Sequence, residues 1–431
     1  MRGWKLLSVL LVLLFTASTS FAAGFRIPEA GAKAMGMGFA FTAQADDPSA
    51  IYFNPAGLTQ LKGNNIMVGA TYLGLDGGEF TGTTPLTGGA TASETQKSLD
   101  FIIPNAYFTR TTSDGYIAYG VGIFTPFGLG QEYENKNTSI FRNQITKIEL
   151  QTVVVNPTIA FKINEYLSVG AGIDWMWGQA KLEKTPVASV GNLYNSTLES
   201  DWGLDGDAWG YNFGLLLKPT ENFRIGVNYR SPFTLKIKDA DVTISNTNPA
   251  YASGALGATP SSTKGGATVA MPATFALGAA YTIGKLTVEA DADWTFWSSF
   301  SSLPITVQNP VPTLFSTDNP KQWEDVIAFR LGVEYRVTDP LSLRAGFVYD
   351  PTPVPGSTMG PLLPDSTKLD YTVGAGYKIG AWTIDVSGMY IDKKDRTVSN
   401  IRFEGANPVG QNGTWSGGSA WLASLDVGYK F

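Results

Sequence analysis

The chain has 431 residues with no histidine and no cysteine, and it carries 37 acidic against 31 basic side chains. Without imidazole or thiol there is no His general base, no Ser-His-Asp or Cys-His nucleophile, no His or Cys metal ligand and no disulfide; carboxylate-pair chemistry stays open, but the expectation is no enzyme, no cofactor and no metal. The acidic balance argues against nucleic acid as a partner, and 48 glycines with 12% aromatics and only 16% charge describe a β-rich chain with many turns.

Residues 1–22 read as a secretory signal. Arg2 and Lys5 form a charged start and Leu6 to Phe15 an apolar core. Ser20-Phe21-Ala22 supplies the small residues of a cleavage site after Ala22. The apolar run is too short to span a bilayer, and no later stretch approaches the ~18 apolar residues of a transmembrane helix. Losing Arg2 and Lys5 leaves 29 basic residues against 37 acidic ones in the mature chain.

Residues 23–61 do not alternate. They are rich in small residues (Ala30-Gly31-Ala32, Met35-Gly36-Met37-Gly38-Phe39-Ala40) and include Asp46-Asp47-Pro48 and Asn54-Pro55-Ala56-Gly57. That is too many small residues for a membrane strand and too little charge for a solvated tail. A compact plug inside a lumen fits, with a periplasmic extension as the alternative.

From residue 62 to 431, fourteen candidate strands follow. They run over 64–75, 101–111, 116–127, 150–163, 167–180, 208–218, 223–238, 268–281, 286–297, 325–337, 341–350, 368–379, 382–393 and 418–431. Most have the roughly 9–11 residues that cross a bilayer at a tilt. In 325–337, Ile327, Phe329, Leu331, Val333, Tyr335 and Val337 oppose Ala328, Arg330, Gly332, Glu334 and Arg336. The last strand sets Trp421, Ala423, Leu425, Val427, Tyr429 and Phe431 against Leu422, Ser424, Asp426, Gly428 and Lys430. Short turns such as Ser113-Asp114-Gly115 and Thr338-Asp339-Pro340 alternate with long connections, and aromatics collect near strand ends. Short periplasmic turns, long outer loops and two aromatic girdles are the pattern of an outer-membrane barrel facing lipid on one side and a lumen on the other. The expected fold is all-β: a transmembrane antiparallel barrel of fourteen strands with a small N-terminal plug. Phe431, an aromatic C-terminus, is the expected signal to the barrel-assembly machinery.

Ala23-Gly24-Phe25, Gly36-x-Gly38, Asp46-Asp47-Pro48-Ser49-Ala50 and Phe53-Asn54-Pro55-Ala56-Gly57-Leu58 resemble the N-terminal hatch of the FadL-type outer-membrane transporters of long-chain fatty acids and other hydrophobic compounds. Val121-Gly122-Ile123-Phe124-Thr125-Pro126-Phe127-Gly128-Leu129, Asn228-Tyr229-Arg230-Ser231, Met271-Pro272-Ala273-Thr274, Asp293-Trp294-Thr295 and Leu363-Pro364-Asp365-Ser366 are similar in the same order. The resemblance implies a fourteen-stranded barrel, a hatch carrying the motif Asn54, Pro55, Ala56, and sideways exit of the solute into the membrane.

The residues add their own expectations. Strand 116–127 is apolar on both faces, and Val154, Leu216, Val348 and Met389 fall on inner rows, which suits an apolar solute. Gly120 and Gly122 are the expected bend for a lateral opening, since glycine weakens a strand. Arg230 and Arg330 lie on inner rows and are candidate partners for a carboxylate, or else for wall acids such as Asp293. Phe25 is a candidate occupant of the empty ligand pocket. Tyr133, Ile140, Phe141 and Ile145 in loop 128–149 suggest an exposed capture groove. The function expected is passive uptake of long-chain fatty acids, with outer-membrane lipid as the exit medium. Aromatic or alkane hydrocarbons, an outer-membrane adhesin, or an acyl-chain hydrolase without histidine are the alternatives.

Overall fold

The computed structural model describes residues 24–185, 187–188, 192–199, 206–246, 262–308, 319–404 and 407–431. The signal segment 1–22 lies outside them. The wall is built from β1 (Asn64–Leu75), β2 (Leu99–Thr111), β3 (Ile117–Phe124), β4 (Gly128–Glu132), β5 (Lys147–Lys162), β6 (Leu167–Lys184), β7 (Asp207–Thr220), β8 (Phe223–Arg230), β9 (Phe233–Asn246), β10 (Ser262–Met271), β11 (Thr274–Ile283), β12 (Leu286–Thr295), β13 (Val326–Arg336), β14 (Leu341–Asp350), β15 (Lys368–Ile379), β16 (Trp382–Lys393) and β17 (Ala420–Lys430). β3 with β4, β8 with β9, and β10 with β11 each form one interrupted stave, so the ring has fourteen. All pairings are antiparallel, and the ring closes where β1 pairs with both β2 and β17.

The two rows of each stave face different media. On β17, Trp421 and Leu425 are exposed while Leu422, Ser424 and Asp426 are buried. The period of two therefore sends apolar side chains to lipid and small or polar ones inward, as the alternation predicts.

Each interruption contains a proline: Pro126 after β3, Pro232 after β8 and Pro272 after β10. Proline has no N–H to give the ladder, so a stave that must continue bends there. Both halves of the third stave pair with β5. On its other side the ladder to β2 stops at Ala106↔Ile123. Beyond that, the bridge Gln96↔Tyr133, the bond from Lys97 N to Glu132 O and the Lys97–Glu132 ion pair join the two sides. The wall is thus open in backbone terms beside β4.

Gly120 and Gly122 do not make this break. They sit in unbroken register between Thr109 and Thr158, and between Tyr107 and Asn156. A glycine keeps its N–H and can stay in a ladder, whereas Pro126 cannot. At Gly122 the missing side chain serves packing instead, because a Cβ there would lie 2.9 Å from Ile51 Cγ2 and 3.0 Å from the Tyr107 ring.

Residues 24–61 are almost entirely buried and touch inward-facing residues around the ring. They form two short helices, α1 (Ala32–Gly36) and α2 (Ala50–Phe53), and a 3-10 turn over Pro55–Gln60. Small wall residues admit this backbone. A Cβ on Gly170 would lie 2.5 Å from Pro55 C, and one on Gly346 would lie 2.2 Å from Gly38 N.

The outer loops carry a further sheet of Gly78–Thr83, Ala92–Thr95, Arg396–Ser399 and Asn412–Gly417. Phe80 and Trp415 from this sheet pack on Phe141, with ring centroids 5.1 and 5.5 Å away.

Candidate functional site

The N-terminal segment is held by wall carboxylates that accept from its main chain. Glu289 takes Ala43 N at 2.6 Å and Gln44 N at 2.8 Å, one on each oxygen. Asp291 takes Phe41 N and Thr42 N, both at 3.0 Å. Asp426 takes Ala32 N at 2.5 Å. All three carboxylates are buried, where charge-assisted bonds are strongest and unmade ones most costly. Asn54 adds a neutral tie. Its Nδ2 donates to Thr42 O at 2.7 Å and to Leu215 O at 3.0 Å, while its Oδ1 accepts from Ala56 N at 3.1 Å and caps the 3-10 turn that Pro55 begins.

Upstream of these ties the chain enters the gap beside β4. Ile27 N donates to Pro126 O at 2.8 Å, Gly128 N donates to Phe25 O at 2.9 Å, and Arg26 bridges Phe127. Residues 25–27 thus take the place of the missing ladder. The Phe25 ring lies in an aromatic cage, with centroids 4.8 Å from Trp297, 5.2 Å from Phe300, 5.8 Å from Trp323 and 6.0 Å from Phe127. Trp297 and Trp323 come from the loop between β12 and β13, and both indole N–H groups are without partners. The strand expected to reach residue 297 ends at Thr295, which frees Trp297 to turn inward.

Two cavities adjoin residues 25–26, Phe25 lining one and Arg26 the other. One is apolar, lined among others by Leu129, Ile148, Leu150, Val269 and Leu303, with Phe25 at its floor. The other is lined by Arg26, Phe39, Tyr52, Phe127, Arg230 and Arg330, with Asp293 the one carboxylate among its lining residues. Asp293 Oδ2 meets Arg26 at 2.8 Å and Arg330 at 3.2 Å. Arg230 pairs with Asp174 at 2.5 Å, donates to Tyr52 O at 3.3 Å and lies 5.1 Å from the Phe124 ring. Arg330 keeps its Nε unpartnered.

Arg230 and Arg330 therefore both border the same cavity, each already holding one wall acid. Sequence periodicity found them because they sit on alternating strands. It missed Arg26, Trp297 and Trp323, which lie in non-periodic segments. The expected groove in loop 128–149 is absent: Tyr133, Phe141 and Ile145 are buried under the outer-loop sheet. The apolar cleft is assembled instead from the outer ends of several staves. Phe431 closes the ring, exchanging bonds with Asn64 at 2.9 and 3.0 Å, and its side chain is exposed.

Glu29 sits beside this ensemble with both carboxylate oxygens unpartnered. Burial pushes its carboxyl up from 4.5 to about 7, against the pull of Arg330 and Arg26 and with a push from Asp350. A raised acid favours the docked state most below about pH 4.5, and that contribution is lost as pH rises through about 7. Between pH 6 and 8.5 the expected change is about tenfold in the undocked population. Proteinase K should cut residues 24–30 faster at pH 8.5 than at pH 6, normalised to an unfolded peptide, and Glu29→Gln should abolish the difference. Equal normalised rates for the unaltered chain would show that Glu29 does not sense pH.

The sequence profile of a family described as outer membrane protein transport protein (OMPP1/FadL/TodX) matches residues 13–431. A long-chain fatty acid transport protein of Escherichia coli O6:H1 (strain CFT073) is 26% identical over 456 residues, covering 99% of this chain and 98% of that protein. Among solved structures, a Pseudomonas aeruginosa FadL homologue superposes with a TM-score of 0.82 at 19% identity, over 95% of this chain and all of that one. The Pseudomonas putida toluene transporter TodX gives 0.68 at 19% identity, over 94% and 99%. At such identities the structural likeness establishes the fold.

Proposed function

This chain belongs to the OMPP1/FadL/TodX family of outer-membrane transporters of hydrophobic compounds, and from that premise we propose that its cargo is a long-chain fatty acid. The observation that carries this reading is the charge of the inner cavity. Three arginines line this cavity and share two wall aspartates, Asp293 and Asp174, and Arg330 still has an unpartnered Nε. Burying cations is costly unless an anion meets them. A hydrocarbon gives nothing back there, whereas a carboxylate binds a guanidinium through charge-assisted bonds.

The acyl chain enters by the apolar cleft and displaces Phe25. Residues 25–27 then leave the gap beside β4, and the solute moves sideways into the bilayer. Lateral exit suits the physics, because apolar surface entering water loses about 25 cal/mol per Å². The carboxylate-held segment from Ala32 onward stays as the hatch, and the stretch before it is the gate.

Arg330→Gln is the clean test, because Asp293 keeps Arg26 and no wall acid is stranded. Losing a charged bond is worth about 1.5 kcal/mol or more, so oleate binding to the detergent-solubilised protein should weaken roughly tenfold. Toluene binding should not change. Toluene binding without oleate binding in the unaltered protein would move the cargo to small hydrocarbons.

A further inference from the structure

A group of cations at the opposite, periplasmic end has no role in that path. Lys162, Lys218 and Arg224 all fall on inward rows. Lys162 follows the buried Ala160 by two residues and Lys218 follows the buried Leu216 by two. Arg224 precedes by two Gly226, whose added Cβ would lie 2.0 Å from Thr42 O of the hatch. Register draws them together. Ser168 is opposite both Lys162 and Leu216, and Leu217 is opposite Ile225 in the hairpin that carries Lys218 and Arg224. Lys162 and Arg224 both act electrostatically on Lys218.

None of the three side chains makes an ion pair or hydrogen bond among the described residues. Two acids that act on this group are already engaged. Asp46, which acts on Lys218, is bound to Lys33 at 2.7 Å, and Glu289, which acts on Arg224, takes two hatch amides. Glu165 and Glu221 sit exposed in the flanking turns and pair with none of them. The hatch ends here too, with Thr59 Oγ1 donating to Ser168 Oγ at 2.8 Å. Three converging, unneutralised cations at a mouth repel one another, and the arrangement is relieved by an anion seated between them.

We propose that Lys162, Lys218 and Arg224 form an oxyanion site at the periplasmic mouth that holds the head group of an anionic amphiphile. The head is either the carboxylate of an acid that has left the barrel sideways and reaches over the rim from the inner leaflet, or the phosphate of an inner-leaflet phospholipid at the same rim. The first source rests on the fatty-acid reading above and the second does not.

Native mass spectrometry of the full mature barrel in neutral detergent separates them, with oleate, phosphatidylglycerol and zwitterionic phosphatidylcholine as probes. The unaltered protein should retain one more oleate or phosphatidylglycerol than a Lys218→Gln/Arg224→Gln variant, with phosphatidylcholine retention equal in both. Loss of the oleate adduct alone identifies the transported acid, and loss of the phosphatidylglycerol adduct alone identifies the lipid. Arg330→Gln should keep the mouth adduct, so a failed cargo assignment leaves this one standing. Folding of each variant is checked by its heat-dependent gel migration, and Lys162→Gln serves if the double variant fails that check. Equal retention of both anionic probes by folded variant and unaltered protein would overturn the site.

Discussion

Glu289→Ala will unseat the hatch and turn a blocked barrel into an ion-conducting one. The substitution removes the acceptors of Ala43 N and Gln44 N. A buried amide left unpaired costs about 1–3 kcal/mol, so the pair costs about 2–6 kcal/mol. That is comparable with the whole stability margin of a small structural unit. Asp291 is two residues along on the same face and keeps its two amides, so the hatch loosens at residues 43–44 first. In planar bilayers the variant should show frequent steps of single-channel conductance where the unaltered protein stays largely closed. Glu289→Gln keeps one acceptor oxygen and should fall between. A variant as closed as the parent would show that the hatch is retained by packing alone and that the carboxylates are incidental.

Phe25→Ala will tighten the binding of apolar ligands instead of weakening it. The Phe25 ring is the piece of protein that fills the aromatic cage, and a ligand following the proposed path must first expel it. Removing a buried phenylalanine forfeits about 3–5 kcal/mol of native packing. That energy is part of what now holds the binding-competent state to a small fraction of molecules. Apparent affinity scales with that fraction, and each 1.4 kcal/mol is a factor of ten. Oleate affinity should therefore rise about 10- to 100-fold, measured by competition against a labelled acyl chain. The gain should come with faster proteolysis of residues 24–30. Weaker binding would mean that the ring is part of the ligand's seat and not its stand-in.

Most of the barrel could be read from the chain because its rule is local. A residue's facing is fixed by whether its position is odd or even along the strand, and Trp421 and Asp426 betray their faces without knowledge of any partner. The wall opening was misplaced for an instructive reason. Gly120 and Gly122 looked like the weak point because glycine relaxes a strand. The ladder, however, depends on N–H donors, and it is Pro126 that removes one. Pro232 and Pro272 mark the other two breaks by the same logic. The inner cavity was only half legible. Arg230 and Arg330 lie on periodic strands, whereas Arg26 belongs to a segment without period and Trp297 and Trp323 to an irregular loop. Their meeting with Phe25 spans some 270 to 300 positions, and nothing local encodes it. Tyr133, Phe141 and Ile145 mislead because loop 128–149 is covered by a small sheet from two other outer loops, a contact that nothing local encodes.

The bond from Ala32 N to Asp426 links positions 394 apart. One belongs to the segment buried in the lumen and the other to the final stave, which also zips to β1. Such distant contacts form late in assembly. The hatch therefore cannot be fully seated until the last strand is added, and a barrel halted before that step would wait with its gate unfastened. Closing the wall and locking the lumen are, for this chain, one event.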